Sequence, residues 1–178
     1  WLLPCMFGML LTASVLKISK PQFDLALFAA LILFVPMIAA MGGNSGIQIS
    51  TVIVRGFATG DLGSARLLRA LFREGRIALA IAPVCGVLAW GLVSLFFPLF
   101  QRFEGSSTQV GDAGRIAVAV GSAMTAAILV AGLLGILLPF TFRRLAIDPA
   151  IASGPLVTTM NDILSVAIYM TLAMAIAQ

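Results

Sequence analysis

Two places in this chain set polar side chains where the surrounding sequence is otherwise apolar. The first is MGGNSGIQISTVIVR at 41–55. At about 100° per residue, Asn44, Gln48, Thr51 and Arg55 fall within roughly 60° of one another on a helix, while Ile47, Ile49, Val52 and Ile53 point elsewhere. Hydrocarbon offers no hydrogen bonds, so such a wall must face other protein or a water-filled cavity. The second is Asp162, a lone carboxylate in the middle of an apolar run, about 16 Å along a regular helix from Ile151. An aspartate at that depth costs several kcal/mol unless a cation, water or a partner meets it, which points to an ion or proton site. The alternative, a structural ion pair, would need arginines that instead cluster near the membrane edges. Gly154, Thr158, Asn161, Asp162, Ser165 and Tyr169 share roughly 100° of arc and are expected to hold water around the carboxylate. An isolated Ser or Thr, however, more often bonds its own helix backbone.

The elements that carry these residues follow from composition. Of 178 residues, 61% are hydrophobic and 10% charged, and the mean hydropathy is +1.10. A soluble domain has about 45–50% apolar residues. This is an integral membrane protein of the all-α class, because its apolar runs of about twenty residues match a bilayer at 1.5 Å per residue and lack the period-two alternation of a barrel. The net charge of +4 and the pI near 9.8 come from arginines between those runs, so they speak of membrane topology and not of nucleic acid. The absence of histidine excludes imidazole catalysis, imidazole metal ligation and a histidine pH switch from the chain. Cys5 and Cys85 lie in apolar segments and form no metal motif; they read as small buried residues. No nucleophile has a positioned base, so an enzyme is not expected.

Five spans are expected. The apolar run at 1–16 opens on WLLP without a basic leader, and reads as a chain that begins inside its first transmembrane helix, with soluble domains ahead of it. After a turn at 17–22, the second span covers 23–54, with Pro36 inside it and Gly42, Gly43 and Gly46 beside the polar wall. These favour a kink or local unwinding, or equally close packing against a neighbour. The stretch 55–76 reads as a charged loop and the approach to the next helix, 77–97 as the third span ended by Pro98, and 101–112 as an extramembrane loop. The fourth span, 113–142, is rich in Gly and Ala and suits tight packing. The fifth is 149–177. Arg55, Arg66, Arg69, Arg73, Arg76, Arg143 and Arg144 flank one set of connections, while Lys17, Lys20, Arg102 and Arg115 flank the other. The richer set is expected inside, which puts the N-terminus in the cytoplasm and the C-terminus outside.

GGNSGIQISTVIVRGFATGDL and DPAIASGPLVTTMNDILSVAIY resemble the transmembrane domain of the MgtE magnesium channels and transporters, over nearly the whole chain. The resemblance implies that 1–178 is an ion-conducting transmembrane domain in the inner (plasma) membrane. It implies a homodimer with the pore on the dimer axis, lined by the second and fifth spans of both copies. It also implies cytoplasmic N-terminal and paired CBS domains outside this chain. The family's central magnesium-site carboxylate falls on Asp162, pore-facing positions around the ion fall on Thr158 and Gly154, and Asn44, Gln48 and Thr51 lie in its glycine and asparagine motif. Asp148 matches the aspartate of the DPA turn near the cytoplasmic mouth. Two departures stand out. Ile47 replaces the second Asn of the common GGNxGNQ pattern, and Gly154 stands where some members carry Asn, so Mn²⁺, Co²⁺ or Ca²⁺ at the same site stay open beside Mg²⁺.

Mg²⁺ releases inner-shell water reluctantly and prefers octahedral oxygen ligands, so a pore can hold it through its water shell. Two Asp162 carboxylates would offset the ion's charge, with Asn44, Gln48, Thr51, Thr158 and backbone carbonyls near Gly42 and Gly46 bonding to the waters. Two other readings remain: a proton- or sodium-coupled divalent cation antiporter of the same fold, distinguished by coupled ion flux, and a non-transport scaffold, in which Asp162→Leu would be silent.

Overall fold

The computed structural model describes residues 2–60, 67–103 and 112–177. Among these described residues six α-helices follow in order: α1 Leu2–Ser19, α2 Leu25–Ile32, α3 Val35–Ala58, α4 Leu67–Phe103, α5 Ala113–Arg144 and α6 Pro149–Ala177, with a 3₁₀ turn at Lys20–Gln22. Five stretches are long and apolar enough to cross a bilayer: Leu2–Gln22, Leu25–Ala58, Leu68–Leu99, Ala113–Arg144 and Gly154–Ala177. The all-α reading with five spans therefore holds. The 32 residues of the fourth span reach about 48 Å at 1.5 Å per residue, past the roughly 30 Å of hydrocarbon, so its ends project into the interfaces.

The centre of the bundle is α5, which packs on α3, α4 and α6. Its small residues allow this. A Cβ added to Gly121 would lie 2.7 Å from the Gly86 carbonyl oxygen and 2.8 Å from the Trp90 Cβ, and one added to Gly135 would lie 2.5 Å from the Gly46 carbonyl oxygen. Backbones of α4 and α3 thus rest directly on α5, the close approach that small residues permit between membrane helices. Ala117, Ala123, Ala127 and Ala131 are fully buried in the same helix. Leucines and phenylalanines point outward elsewhere: α4 exposes Leu79, Leu88, Leu95 and Phe96, and α1 exposes Leu3, Phe7 and Leu10. Those faces suit lipid. Helix α1 packs on α6, with Gly8 against Thr159.

The second span is broken, and the break is at Leu33 and Phe34, just ahead of Pro36 in the first turn of α3. Proline cannot donate to the carbonyl one turn earlier, that of Ile32, which favours ending the helix and restarting it there. At the break the Leu31 carbonyl is satisfied: it accepts from the Phe34 N–H at 3.1 Å and from the buried Tyr169 hydroxyl at 3.0 Å. No unwinding occurs at the glycines, since α3 is continuous from Val35 to Ala58. Gly42 and Gly46 serve close packing instead.

The third span differs from its expected limits. Helix α4 starts at Leu67 and passes through both Pro83 and Pro98 to end at Phe103, so Pro98 does not stop it. Within a bundle, a proline's lost hydrogen bond is tolerated because neighbouring groups and local adjustment compensate. The early start also has a physical cause. Ala70, Glu74 and Ala78 are buried at helical spacing while Arg69 and Arg73 stay exposed, so the charged stretch is an amphipathic turn of helix and not all loop. Glu74 accepts from the Arg73 Nε at 2.8 Å. Asp61 and Arg66, and residues 104–111 of the second loop, lie outside the described residues. Cys5 and Cys85 are partly buried free thiols.

Candidate functional site

Helices α3 and α6 pack against each other in antiparallel register, read from what lies opposite each glycine. A Cβ on Gly42 would meet the Asn161 amide at 2.8 Å, and one on Gly46 would meet Val157 Cγ1 at 2.7 Å. Further down, Ser50, Thr51 and Arg55 share a cavity of about 290 Å³ with Ala150 and Gly154. Arg143 stacks on the Phe57 ring, 4.4 Å from its centroid, and Phe57 meets Phe140 edge-on at 4.7 Å. The ends of α3 and α5 and the start of α6 therefore gather at one end of the bundle, which carries Arg55, Arg143 and Arg144.

The polar wall of α3 is uncovered. Asn44, Gln48 and Thr51 are all exposed on the single chain, as are Arg55 and Ile47. The Thr51 hydroxyl donates to the Ile47 carbonyl at 2.8 Å, leaving its oxygen free to accept. Such a face is costly against lipid. Ser50, next along the helix, was not singled out by the sequence. It is 2% exposed, and its hydroxyl has no hydrogen-bond partner among the described residues. Its one visible signal is its place beside Thr51, one turn from Gly46.

On α6 the polar stripe divides along the axis. Gly154, Thr158 and Asp162 remain partly exposed, and nothing lies within 4 Å of where a Gly154 Cβ would be. The Thr158 hydroxyl bonds the Pro155 carbonyl at 2.9 Å. Pro155 has no N–H, so the Ile151 carbonyl lacks its helical donor near the same cavity. Asn161, Ser165 and Tyr169, by contrast, are buried and bonded within the protein, so they do not belong to a water-holding stripe. Asn161 donates from Nδ2 to the Ala39 carbonyl at 3.2 Å and accepts from the Ser165 hydroxyl at 3.1 Å. They face α3 and α2, and amides and hydroxyls there join helices in an apolar medium.

Asp162 pairs with no arginine or lysine among the described residues. No group of three His, Cys, Asp or Glu side chains converges among the described residues either. Asp148 sits in the turn between α5 and α6, where its Oδ1 accepts from the Ala150 N–H at 2.9 Å and caps α6. That turn is tight: Ala146 has φ 57°, and the Ile147 N–H returns to the Phe142 carbonyl at 2.9 Å, a Schellman arrangement with alanine where glycine is usual.

The family described as "MgtE: Divalent cation transporter" matches residues 35–172, from the first residue of α3 to near the end of α6. The chain belongs to the MgtE family. Among relatives of this MgtE chain, the magnesium transporter MgtE of Bacillus subtilis is 34% identical over 98% of the chain. That of Thermus thermophilus is 30% identical over 97%, and that of Enterococcus faecalis is 31% identical over 97%. The chain spans 35% of the length of each of these relatives. The MgtE match contains both helices that bear the polar wall and Asp162.

Proposed function

We propose that the chain is the ion-conducting transmembrane domain of a divalent cation transporter that carries hydrated Mg²⁺ through a pore on the axis of a homodimer, lined by α3 and α6 of each copy. The observation that carries this reading is the uncovered wall of Asn44, Gln48 and Thr51 on α3, with a partly exposed Asp162 on α6 that has no ion pair among the described residues. A protomer alone leaves these groups unsatisfied in a membrane, and a second copy across a wet seam resolves that cost. One carboxylate offsets half of a divalent charge. With no cluster of three metal-ligating side chains among the described residues, the second carboxylate is the partner copy's.

Gln48, Thr51, Asn44 and Thr158 then bond the ion's water shell, which avoids the penalty of stripping Mg²⁺ and keeps binding weak enough for passage. Gly154, Asp148 and the Ser50 hydroxyl belong to the mouth at the arginine-rich end, which the positive-inside rule makes cytoplasmic. That orientation puts the N-terminus inside and the C-terminus outside an inner membrane, with regulatory domains of CBS type attached to the remainder of the protein. Backbone carbonyls at Gly42 to Gly46 take no part, since α3 is continuous there and its glycines are buried; the carbonyl near Pro155 is the better-placed backbone oxygen. Mn²⁺, Co²⁺ and Ca²⁺ compete for the same site.

Isothermal titration and liposome uptake test this directly. Asp162→Ala is expected to abolish high-affinity Mg²⁺ binding and uptake in a protein that still elutes as a dimer. Binding and uptake equal to wild type would overturn the reading.

A further inference from the structure

The first turns of α4 carry a stripe of positive charge that the ion pathway does not use. Arg69, Arg73 and Arg76 are exposed and, at about 100° per residue, lie within roughly 60° of one another on one face of the helix. On the adjacent arc of roughly 40° run Leu68, Phe72 and Leu79, which are 65%, 66% and 63% exposed. The other side of these turns is fixed, because Ala70 joins Ile53 of α3 and Phe140 of α5 in one apolar cluster. Both stripes therefore face away from the bundle, at the end where Arg143 stacks on Phe57. Glu74 does not neutralise them. It is turned inward, 6% exposed, and takes only the Nε of Arg73, whose side chain stays 62% exposed. Arg69 and Arg76 enter no ion pair among the described residues.

We infer that this face of α4 binds an anionic phospholipid, whose phosphate the three arginines hold while an acyl chain lies along Leu68, Phe72 and Leu79. Positive charge anywhere at a membrane edge helps to set orientation; α4 adds an alignment that fits one class of partner. Its 37 residues reach about 55 Å, beyond the roughly 40–45 Å of a bilayer with its headgroups, so the arginine-bearing start lies at headgroup level. Guanidinium groups match phosphate oxygens with paired, parallel hydrogen bonds. A soluble anion would match the arginines and leave the apolar ridge bare, whereas a lipid satisfies both. The inference is independent of the ion site, since none of these residues lines the cavity between α3 and α6.

The test places a reporter in the ridge. Phe72→Trp is made in the full-length protein with every other tryptophan, including Trp1 and Trp90, replaced by phenylalanine. The protein is reconstituted in phosphatidylcholine with increasing shares of brominated phosphatidylglycerol or brominated phosphatidylcholine. Its fluorescence is expected to be quenched at a lower share of the anionic lipid. Arg69→Gln and Arg76→Gln together are expected to reduce that preference by up to about fivefold per arginine removed. Equal quenching by the two lipids, or a preference that survives loss of both arginines, would overturn the inference. Protection from both lipids would show that another part of the protein covers the face, and relief of quenching by inorganic phosphate would make the stripe a site for a soluble anion; either result overturns it as well. If the tryptophan replacements do not fold, native mass spectrometry of the otherwise wild-type protein and the double arginine variant carries the test. Loss of retained phosphatidylglycerol in the variant supports the inference, and equal retention rejects it.

Discussion

Replacing Gly46 by alanine adds one methyl group to the seam between α3, α5 and α6, and the structure sets what it would meet. The new carbon would lie 2.7 Å from Val157 Cγ1 and 3.2 Å from the Ala131 carbonyl oxygen, against the roughly 3.5–4.0 Å at which carbons rest. Val157 is fully buried and β-branched, so its rotamer cannot turn away, and the second obstacle is backbone. Overpacking of this kind costs about 1–3 kcal/mol. The helical gain of alanine over glycine is at most about 1 kcal/mol, and it shrinks in detergent, where the unfolded state keeps its helices. Gly46→Ala is thus expected to lower the melting temperature by a few degrees. Gly43→Ala is the control, three residues away in the same helix and also buried. Its Cβ would rest 3.7 Å from Thr158 Cγ2, an ordinary contact, so its stability is expected within about 0.5 kcal/mol of wild type. Fluorescence-detected thermal melts of both variants in one detergent measure the difference. A destabilised Gly43→Ala beside an unaffected Gly46→Ala would refute the register assigned to α3 and α6.

Ala146→Gly is expected to stabilise the protein by about 0.5–1 kcal/mol, since φ 57° costs an L-residue about 1–2 kcal/mol and glycine's extra backbone entropy takes back part of that; a melt equal to or below wild type contradicts it. Gly154→Asn places an amide in open space, with nothing within 4 Å of the Cβ, at the mouth of the proposed pathway. It is expected to leave the melting temperature unchanged and to lower the half-saturating Mg²⁺ concentration in uptake, and an unchanged half-saturation would remove Gly154 from the pathway.

Much of this architecture was legible because the bilayer leaves few options. Five apolar runs had to be helices, Pro36 favoured a kink in the second, and the Gly and Ala of α5 suited close contact. The limits of α4 were less legible, because prolines at 83 and 98 carry a strong local signal that bundle packing overrides. The polar residues divided in an instructive way. A helical wheel sorts by angle, and by angle Asn161, Ser165 and Tyr169 belong with Asp162. Neighbours also vary along the axis: α3 covers the turn at Asn161, and the break before α3 presents the Leu31 carbonyl to Tyr169. Which amide faces water and which joins helices is decided by the partner helix, and a single sequence does not display it. The hidden hydroxyl of Ser50 escaped notice for the same reason.

The proposed function joins the exposed wall of α3 and the lone carboxylate of α6 through a second copy that closes a wet passage around a divalent ion. A structure of the full-length protein in lipid with Mn²⁺ substituted for Mg²⁺, recorded at the manganese absorption edge, tests this most directly. The expected result is an anomalous peak on the two-fold axis between the Asp162 side chains of the two copies, at a separation that leaves room for water. Asp162 facing lipid, or manganese bound only away from it, would contradict the proposed mechanism.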